Sequence, residues 1–350
     1  MDALKILIPW TVAFFAGIAL TPFLTHYLYK HKMWKKKAGK QAGLGDGNGT
    51  PIFNELHKEK DTGTPIMGGS IIWMSALITI FLFWLISFLF PNELTTKLDF
   101  MSRSQTWLPL FTLIVASLLG LFDDLSLIFD KGTYKAGGIP LKLRILFVLL
   151  IGAVGGWWFY SKLGVSSIAI PLDGFLNLGI LFIPFFMFVM LSLFASGVID
   201  GLDGLSGGVM ATVFSAYAGI AFFQGQIDLA AFCAMIVGGI LAFLWFNIPP
   251  ARFYMGETGM LGLTATLTVV AFLTGQVLVL PIIAFPLFAT VIGNIIQVSS
   301  KKFRGKKVFR IAPIHHHFEA IGWPSYKVVM RYWVISIITA ILGMIIALLG

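Results

Sequence analysis

The sequence predicts an all-α integral membrane protein, a polytopic bundle of about ten transmembrane helices forming a single domain over residues 1–350. Three observations carry that prediction. The chain is 57% hydrophobic and only 12% charged, with a mean hydropathy of +0.88, more apolar than a soluble core of its size requires. Apolar runs recur ten times at the roughly 20-residue length that crosses a hydrocarbon core about 30 Å thick. Carboxylates and imidazoles, scarce elsewhere, gather at or between the ends of those runs.

In order, the runs cover approximately residues 5–28, 66–90, 106–122, 143–161, 175–199, 206–224, 228–246, 258–275, 277–298 and 328–349, the third being the shortest. Each should be helical, because a spanning segment must satisfy its own backbone; strands are not expected, since the runs lack the alternation of a barrel. Pro22, Pro184, Pro281 and Pro286 fall inside runs, where bundle packing tolerates them at the cost of kinks. The first run begins almost at Met1, carries one early cation, Lys5, and exceeds the length of a signal-peptide core, so it is expected to be retained. The single cysteine, Cys233, lies mid-run; it excludes an intrachain disulfide and a cysteine-based zinc site and is expected to pack.

Charge orients the bundle. With ten crossings, every Lys and Arg except Lys5, Lys97, Arg103 and Lys162 falls nearest the connections after the odd-numbered runs. The positive-inside rule makes that side cytoplasmic and places both termini outside. Two stretches carry most of this charge, Lys30 to Lys40 and KKFRGKKVFR at 301–310. The first reads as anchoring to anionic headgroups; the second borders a histidine triplet and could share in phosphate binding. The glycine-rich 42–51 reads as a mobile loop. The basic residues track the membrane edge, not an aromatic-interleaved surface, which disfavours nucleic acid as a partner. The chain shows no internal repeat.

The acidic residues fall on the same side, although they played no part in counting crossings. Asp123 and Asp124 sit at the exit of the third run, and Asp200 and Asp203 lie three apart within ASGVIDGLDGLSGG. Glu257 follows Asn247, Pro249 and Pro250 in FNIPPARFYMGETG, just before the eighth run. A carboxylate at a helix end can simply be solvated, and glycine-rich membrane helices often just pack closely. Ionisable groups at a bilayer are nonetheless costly enough that a functional role is the first hypothesis. Carboxylate oxygens without thiolates suit a hard divalent cation, and Mg²⁺ is commonly held by one or two carboxylates plus substrate phosphates. The implied chemistry is metal-assisted phosphoryl transfer. His315, His316 and His317 raise zinc as a competitor, but consecutive helical residues point about 100° apart and one ion could not easily collect all three. Beside Lys and Arg, the imidazoles are better suited to gripping a diphosphate or a sugar-linked group.

These residues resemble a family. KVFRIAPIHHHFEAIGW at 307–323 looks like the histidine signature of the bacterial phospho-N-acetylmuramoyl-pentapeptide-transferases, and GTPIMGGS at 63–70 resembles their GTPTMGG loop. FDD at 122–124, DGLDGL at 200–205 and FNIPPARFYMGETG are similar to the three acidic motifs of the wider polyprenyl-phosphate N-acetylhexosamine-1-phosphate transferase superfamily. The motifs run in the expected order from about residue 57 to the C-terminus.

The resemblance implies that undecaprenyl phosphate attacks the sugar-linked phosphorus of UDP-N-acetylmuramoyl-pentapeptide, releasing UMP and leaving lipid I in a bacterial inner membrane. It implies Mg²⁺ as cofactor, held by Glu257 and Asp200. Asp123 and Asp124 would handle the lipid phosphate, Asp200 and Asp203 the nucleotide. Lys60, Thr64, Asn247, His315, His316 and His317 would bind substrate, and a homodimer is a further expectation. The chain departs from the pattern at four places. Glu257 stands where Asp is usual, Gly197 where Asn is usual, and Leu127 where Lys is usual. One residue is inserted between His57 and Gly63, so either Lys58 or Lys60 is the loop lysine. The competing readings are transfer of another UDP-N-acetylhexosamine and a non-catalytic transporter or scaffold. A transporter would place its acids at the midplane, not at run ends.

Overall fold

In the computed structural model the described residues are 2–35, 63–99, 104–129 and 138–349. Lys58, Lys60 and the 42–51 loop lie outside them.

Thirteen helices and one hairpin make up the described chain: α1 (Asp2–Lys30), α2 (Ser70–Leu89), α3 (Glu93–Leu98), α4 (Ser104–Ile128), α5 (Leu141–Lys162), β1 (Ser167–Ile170), β2 (Gly174–Asn177), α6 (Phe182–Ala195), α7 (Leu205–Phe223), α8 (Ile227–Asn247), α9 (Gly256–Leu273), α10 (Leu280–Ile283), α11 (Phe285–Arg304), α12 (Ile314–Ala320) and α13 (Ser325–Leu349). Among the described residues, nine helices are long and apolar enough to cross a membrane. One of them is α6 with its flanking 3-10 turns, together Gly179–Ile199. The chain is therefore an all-α multi-pass membrane protein.

The ninth run takes a different form. It is broken at Ala284, where the backbone leaves helical geometry, and α11 restarts with Pro286 in its first turn. Its C-terminal half carries Lys301, Lys302 and Arg304, too polar for an ordinary span. The chain still passes here from one end of the bundle to the other. Gln276 Nε2 bonds the Ala347 carbonyl at the far end of α13, while His315, beyond α11, packs against Gly201 at the opposite end. About ten crossings are thus met by nine continuous spans and one broken one.

Three of the four expected kink prolines sit in the first turn of a helix: Pro184 in α6, Pro281 in α10 and Pro286 in α11. A missing N–H costs nothing there. Pro22, with Pro9, lies within the α1 span, which continues to Lys30. Strands were not expected, yet β1 and β2 pair antiparallel from Ser167↔Asn177 to Ile170↔Gly174. They occupy a connection, not a span, so the backbone rule for spanning segments is not broken. The continuous apolarity of GFLNLGIL hid the strand inside the fifth run.

α8 and α9 are the innermost spans, buried over 83% of their most apolar window, against 17% for α1. Away from the polar end, Phe159, Phe182, Phe186 and Phe272 join α5, α6 and α9, with Phe186 and Phe272 rings 4.5 Å apart. Edge-on and offset aromatic contacts of this kind add about 0.5–1.5 kcal/mol each beyond burial.

Candidate active site

The site forms where α4 ends and α9 begins. α4 does not stop at the acids but continues to Ile128, so Asp123 and Asp124 lie in its last turns. Both oxygens of Asp124 are taken by the start of α9: Glu257 N–H donates to Oδ1 and Thr258 N–H to Oδ2, each at 3.0 Å. Two of the four otherwise unpaired donors of that helix are satisfied by one carboxylate, whose charge also suits the positive end of the helix dipole. The turn into α9 needs Gly256, which has φ +72°; a Cβ there would lie 2.5 Å from Asp124 Oδ2. Asp124 is therefore the tie between two spans.

Asp123 faces the other way. Its Oδ1 accepts the Ile139 N–H, and its Oδ2 meets Arg144 Nη1 at 3.1 Å. The same Nη1 reaches Glu257 Oε1 at 2.7 Å. One guanidinium from the first turn of α5 thus bridges carboxylates from α4 and α9. The Glu257 side chain is 36% exposed and Asp123 only 9%, which makes Glu257 the more open of the two acids that share Arg144. Sequence reading missed Arg144, counting it only among the cations of the positive-inside rule. The available signal was an arginine just inside the start of an apolar run.

Asp200 ends the 3-10 turn Ser196–Ile199. Its Oδ1 accepts the Ser206 hydroxyl at 2.7 Å and its Oδ2 the Gly256 N–H at 3.3 Å, which brings it beside Glu257. Burial raises its carboxyl above the ordinary range, opposed by those two hydrogen bonds and by the Lys35 charge. Asp203 Oδ2 accepts the Ala251 N–H at 3.4 Å. Asn247 is buried with both ends of its amide engaged. Its Oδ1 accepts the Gly204 N–H at 2.9 Å and its Nδ2 donates to the Phe253 carbonyl at 2.8 Å. It pins the DGLDG turn to the loop that leads into α9 and Glu257. Thr64 is half-buried, in a segment zipped to the same loop: Tyr254 N–H donates to the Pro65 carbonyl, Gly68 N–H to that of Tyr254 and Gly69 N–H to that of Met255.

The histidines divide. His315 and His316 are buried with ring centroids 4.3 Å apart. A Cβ built on Gly201 would lie 2.5 Å from His315 Nε2 and 2.9 Å from His316 Nε2, so both edges press on the Asp200–Gly201 turn. His317 turns away: its Nδ1 receives the Arg310 N–H at 3.2 Å and its ring packs against Phe309. Among the described residues no three His, Cys, Asp or Glu converge to hold a metal by themselves. The structure brings together Asp123, Asp124, Asp200, Asp203, Glu257, Asn247, His315 and His316; it leaves His317 facing elsewhere.

Helical spans whose one polar end assembles carboxylates, a guanidinium and imidazoles fit a membrane-embedded transferase, and residues 106–275 match the pattern of glycosyl transferase family 4. The chain is 34% identical over 348 residues to a phospho-N-acetylmuramoyl-pentapeptide-transferase of Anoxybacillus flavithermus, covering 98% of each chain. It is 38% identical to that of Geobacillus sp. strain WCH70 over 81% of this chain and 84% of the other. For the Clostridium perfringens protein the figures are 31% identity over 95% and 96%. The chain belongs to the phospho-N-acetylmuramoyl-pentapeptide-transferase family.

Proposed function

We propose that this protein transfers phospho-N-acetylmuramoyl-pentapeptide from its UDP-linked donor to undecaprenyl phosphate, releasing UMP and forming lipid I at the cytoplasmic face of a bacterial inner membrane. Kinship over nearly the whole chain supports the reaction class. The observation that carries the reading is the convergence at one end of the spans of Asp123 and Glu257 on Arg144, with Asp200 beside them on the Gly256 N–H. There a water-soluble nucleotide and a membrane-resident lipid phosphate can meet. The cytoplasmic assignment is supported by the basic residues at that same end, from Lys30 to Lys35 and from Lys301 to Arg310.

An oxygen of the lipid phosphate forms a bond to the sugar-linked phosphorus as the bond to UMP breaks. Both reactants are anionic, so positioning and charge neutralisation dominate over base strength. A phosphate monoester is already mostly ionised near neutral pH, having a second pKa of about 6. Arg144 offers its fork to a phosphate while keeping Asp123 and Glu257 from repelling it. Asp124 holds the start of α9 that carries Glu257, Asn247 positions the loop leading into it, and Asp203 steadies that loop at Ala251. His315 and His316 present nitrogen edges beside Asp200, where the donor diphosphate would lie, and Thr64, with Lys60 outside the described residues, would bind the same donor.

The donors fit Mg²⁺: they are oxygens only, they supply a pair and not a cage, and Glu257 is partly exposed. A hard cation completed by substrate phosphates needs such a pair. Glu257 and Asp200 would hold it, and it would supply charge neutralisation to the diphosphate. The test is incubation of purified protein with labelled donor, undecaprenyl phosphate and Mg²⁺. UMP should appear only with both substrates and should stop with chelator. Release with a different UDP-N-acetylhexosamine but not with the pentapeptide donor would overturn the substrate assignment.

A further inference from the structure

The acid of the PIHHHFE segment, Glu319, has no part in the chemistry described so far, yet it makes two of the shortest bonds between side chains among the described residues. Its Oε2 lies 2.7 Å from His316 Nδ1, one helical turn back on α12, and its Oε1 accepts the Ser325 hydroxyl at 2.6 Å. Ser325 is the first residue of α13, so the carboxylate is anchored to a membrane span before it touches the imidazole. Its side chain is only 8% exposed and that of His316 2%. A carboxylate of this kind accepts hydrogen bonds, so the ring nitrogen facing it must carry the proton. The opposite nitrogen, Nε2, points at the Asp200–Gly201 turn, where Gly201 has no side chain to obstruct it.

We propose that Glu319 is a positioning residue that holds His316 as the Nδ1-protonated tautomer and presents Nε2 to the Asp200–Gly201 turn, where it meets the donor diphosphate. A second carboxylate behind a working imidazole fixes both ring orientation and tautomer, and its loss typically costs about 10–100-fold in activity. The Ser325 hydroxyl, donating to Oε1, holds the carboxylate in place behind the ring. The functional half of the inference rests on the transfer reaction proposed above; the tautomer half does not.

Two measurements decide it. In protein labelled with ¹⁵N-histidine, at a pH where imidazoles are neutral, His316→Ala identifies the His316 signals. These should show Nδ1 protonated in the parent protein and a shift toward the Nε2-protonated form in Glu319→Ala. An unchanged tautomer overturns the proposal whether or not the protein turns over. Kinetically, Glu319→Ala should lower kcat/KM by about 10–100-fold. The double variant Glu319→Ala/His316→Ala should be no worse than His316→Ala alone, because the acid acts through the ring. Losses that multiply would mean that Glu319 acts independently of His316 and would defeat the assignment. Glu319→Gln, which can still accept from Nδ1–H, should retain most activity and guards against misfolding of the alanine variant. A parent protein that releases no UMP would overturn the transfer reading alone and leave the tautomer result standing.

Discussion

At the scale of single residues, the carboxylates differ in what already occupies them, and that decides what each substitution does. Asp124→Asn turns one of two acceptor oxygens into a donor facing an N–H of α9. Leaving a buried donor without its partner costs about 1–3 kcal/mol, so the unfolding temperature in detergent should fall and UMP release should be abolished. Full activity would show that the tie between α4 and α9 is dispensable. Glu257→Ala removes the more open acid and should abolish release without a comparable loss of thermal stability. Glu257→Asp installs the acid that the resemblance leads one to expect, and turnover should persist, although the shorter side chain retreats from Arg144 Nη1, now 2.7 Å away. Complete loss in that variant would mean that this chain has built its site around the longer acid. Arg144→Ala leaves Asp123 and Glu257 to repel each other and takes a cation from the phosphates. A loss of about 10²–10³ in kcat is expected, as for other preorganised electrostatic groups, and Arg144→Lys, lacking the planar fork, should recover only part of it.

At the scale of elements, α11 joins the membrane-facing part of the bundle to the histidine helix. Gln297 accepts the Val308 and Phe309 N–H groups at 3.1 and 2.9 Å and donates to the Phe309 carbonyl at 2.9 Å. One side chain thus fixes the strand of backbone that leads into α12. Gln297→Ala should loosen α12 and raise KM for the nucleotide donor several-fold, while kcat changes less. A pure kcat effect would place the role of Gln297 elsewhere. The nine continuous spans were legible because each is a long apolar run that has no alternative to helix in lipid. The break at Ala284 was legible only in part: Pro281 and Pro286 flank it and were expected to kink the run, but residues 277–298 are apolar on both sides, so a kink could not be told from a stop. The hairpin was hidden by the same continuous apolarity. Among site residues the acids and histidines stood out as polar groups at run ends. Arg144 did not, because a cation near a run end also satisfies the positive-inside rule, and only its bonds to Asp123 and Glu257 separate the two roles. The split of His317 from its neighbours depends on the course of the chain through Phe309 and Arg310, which periodicity does not encode.

At the scale of the whole molecule, the polar end and the far end of the bundle carry different chemistry, and that difference fixes a membrane orientation that can be measured. The far end carries the hairpin with its outward Phe175, 78% exposed, and the polar end carries the basic stretch with Phe303, 80% exposed. Moving several cations across a bilayer is costly, so the end bearing Lys301, Lys302, Arg304, Lys306, Lys307 and Arg310 should remain in the cytoplasm. The single native cysteine, Cys233, is fully buried in α8 and contributes no background labelling. Spheroplasts expressing Phe175→Cys should react with a membrane-impermeant thiol reagent, whereas those expressing Phe303→Cys should react only after permeabilisation. The reverse pattern would place the carboxylate cluster on the outer face, away from any cytoplasmic nucleotide. It would defeat the transfer reaction on grounds of access alone, however well the residues of the site were arranged.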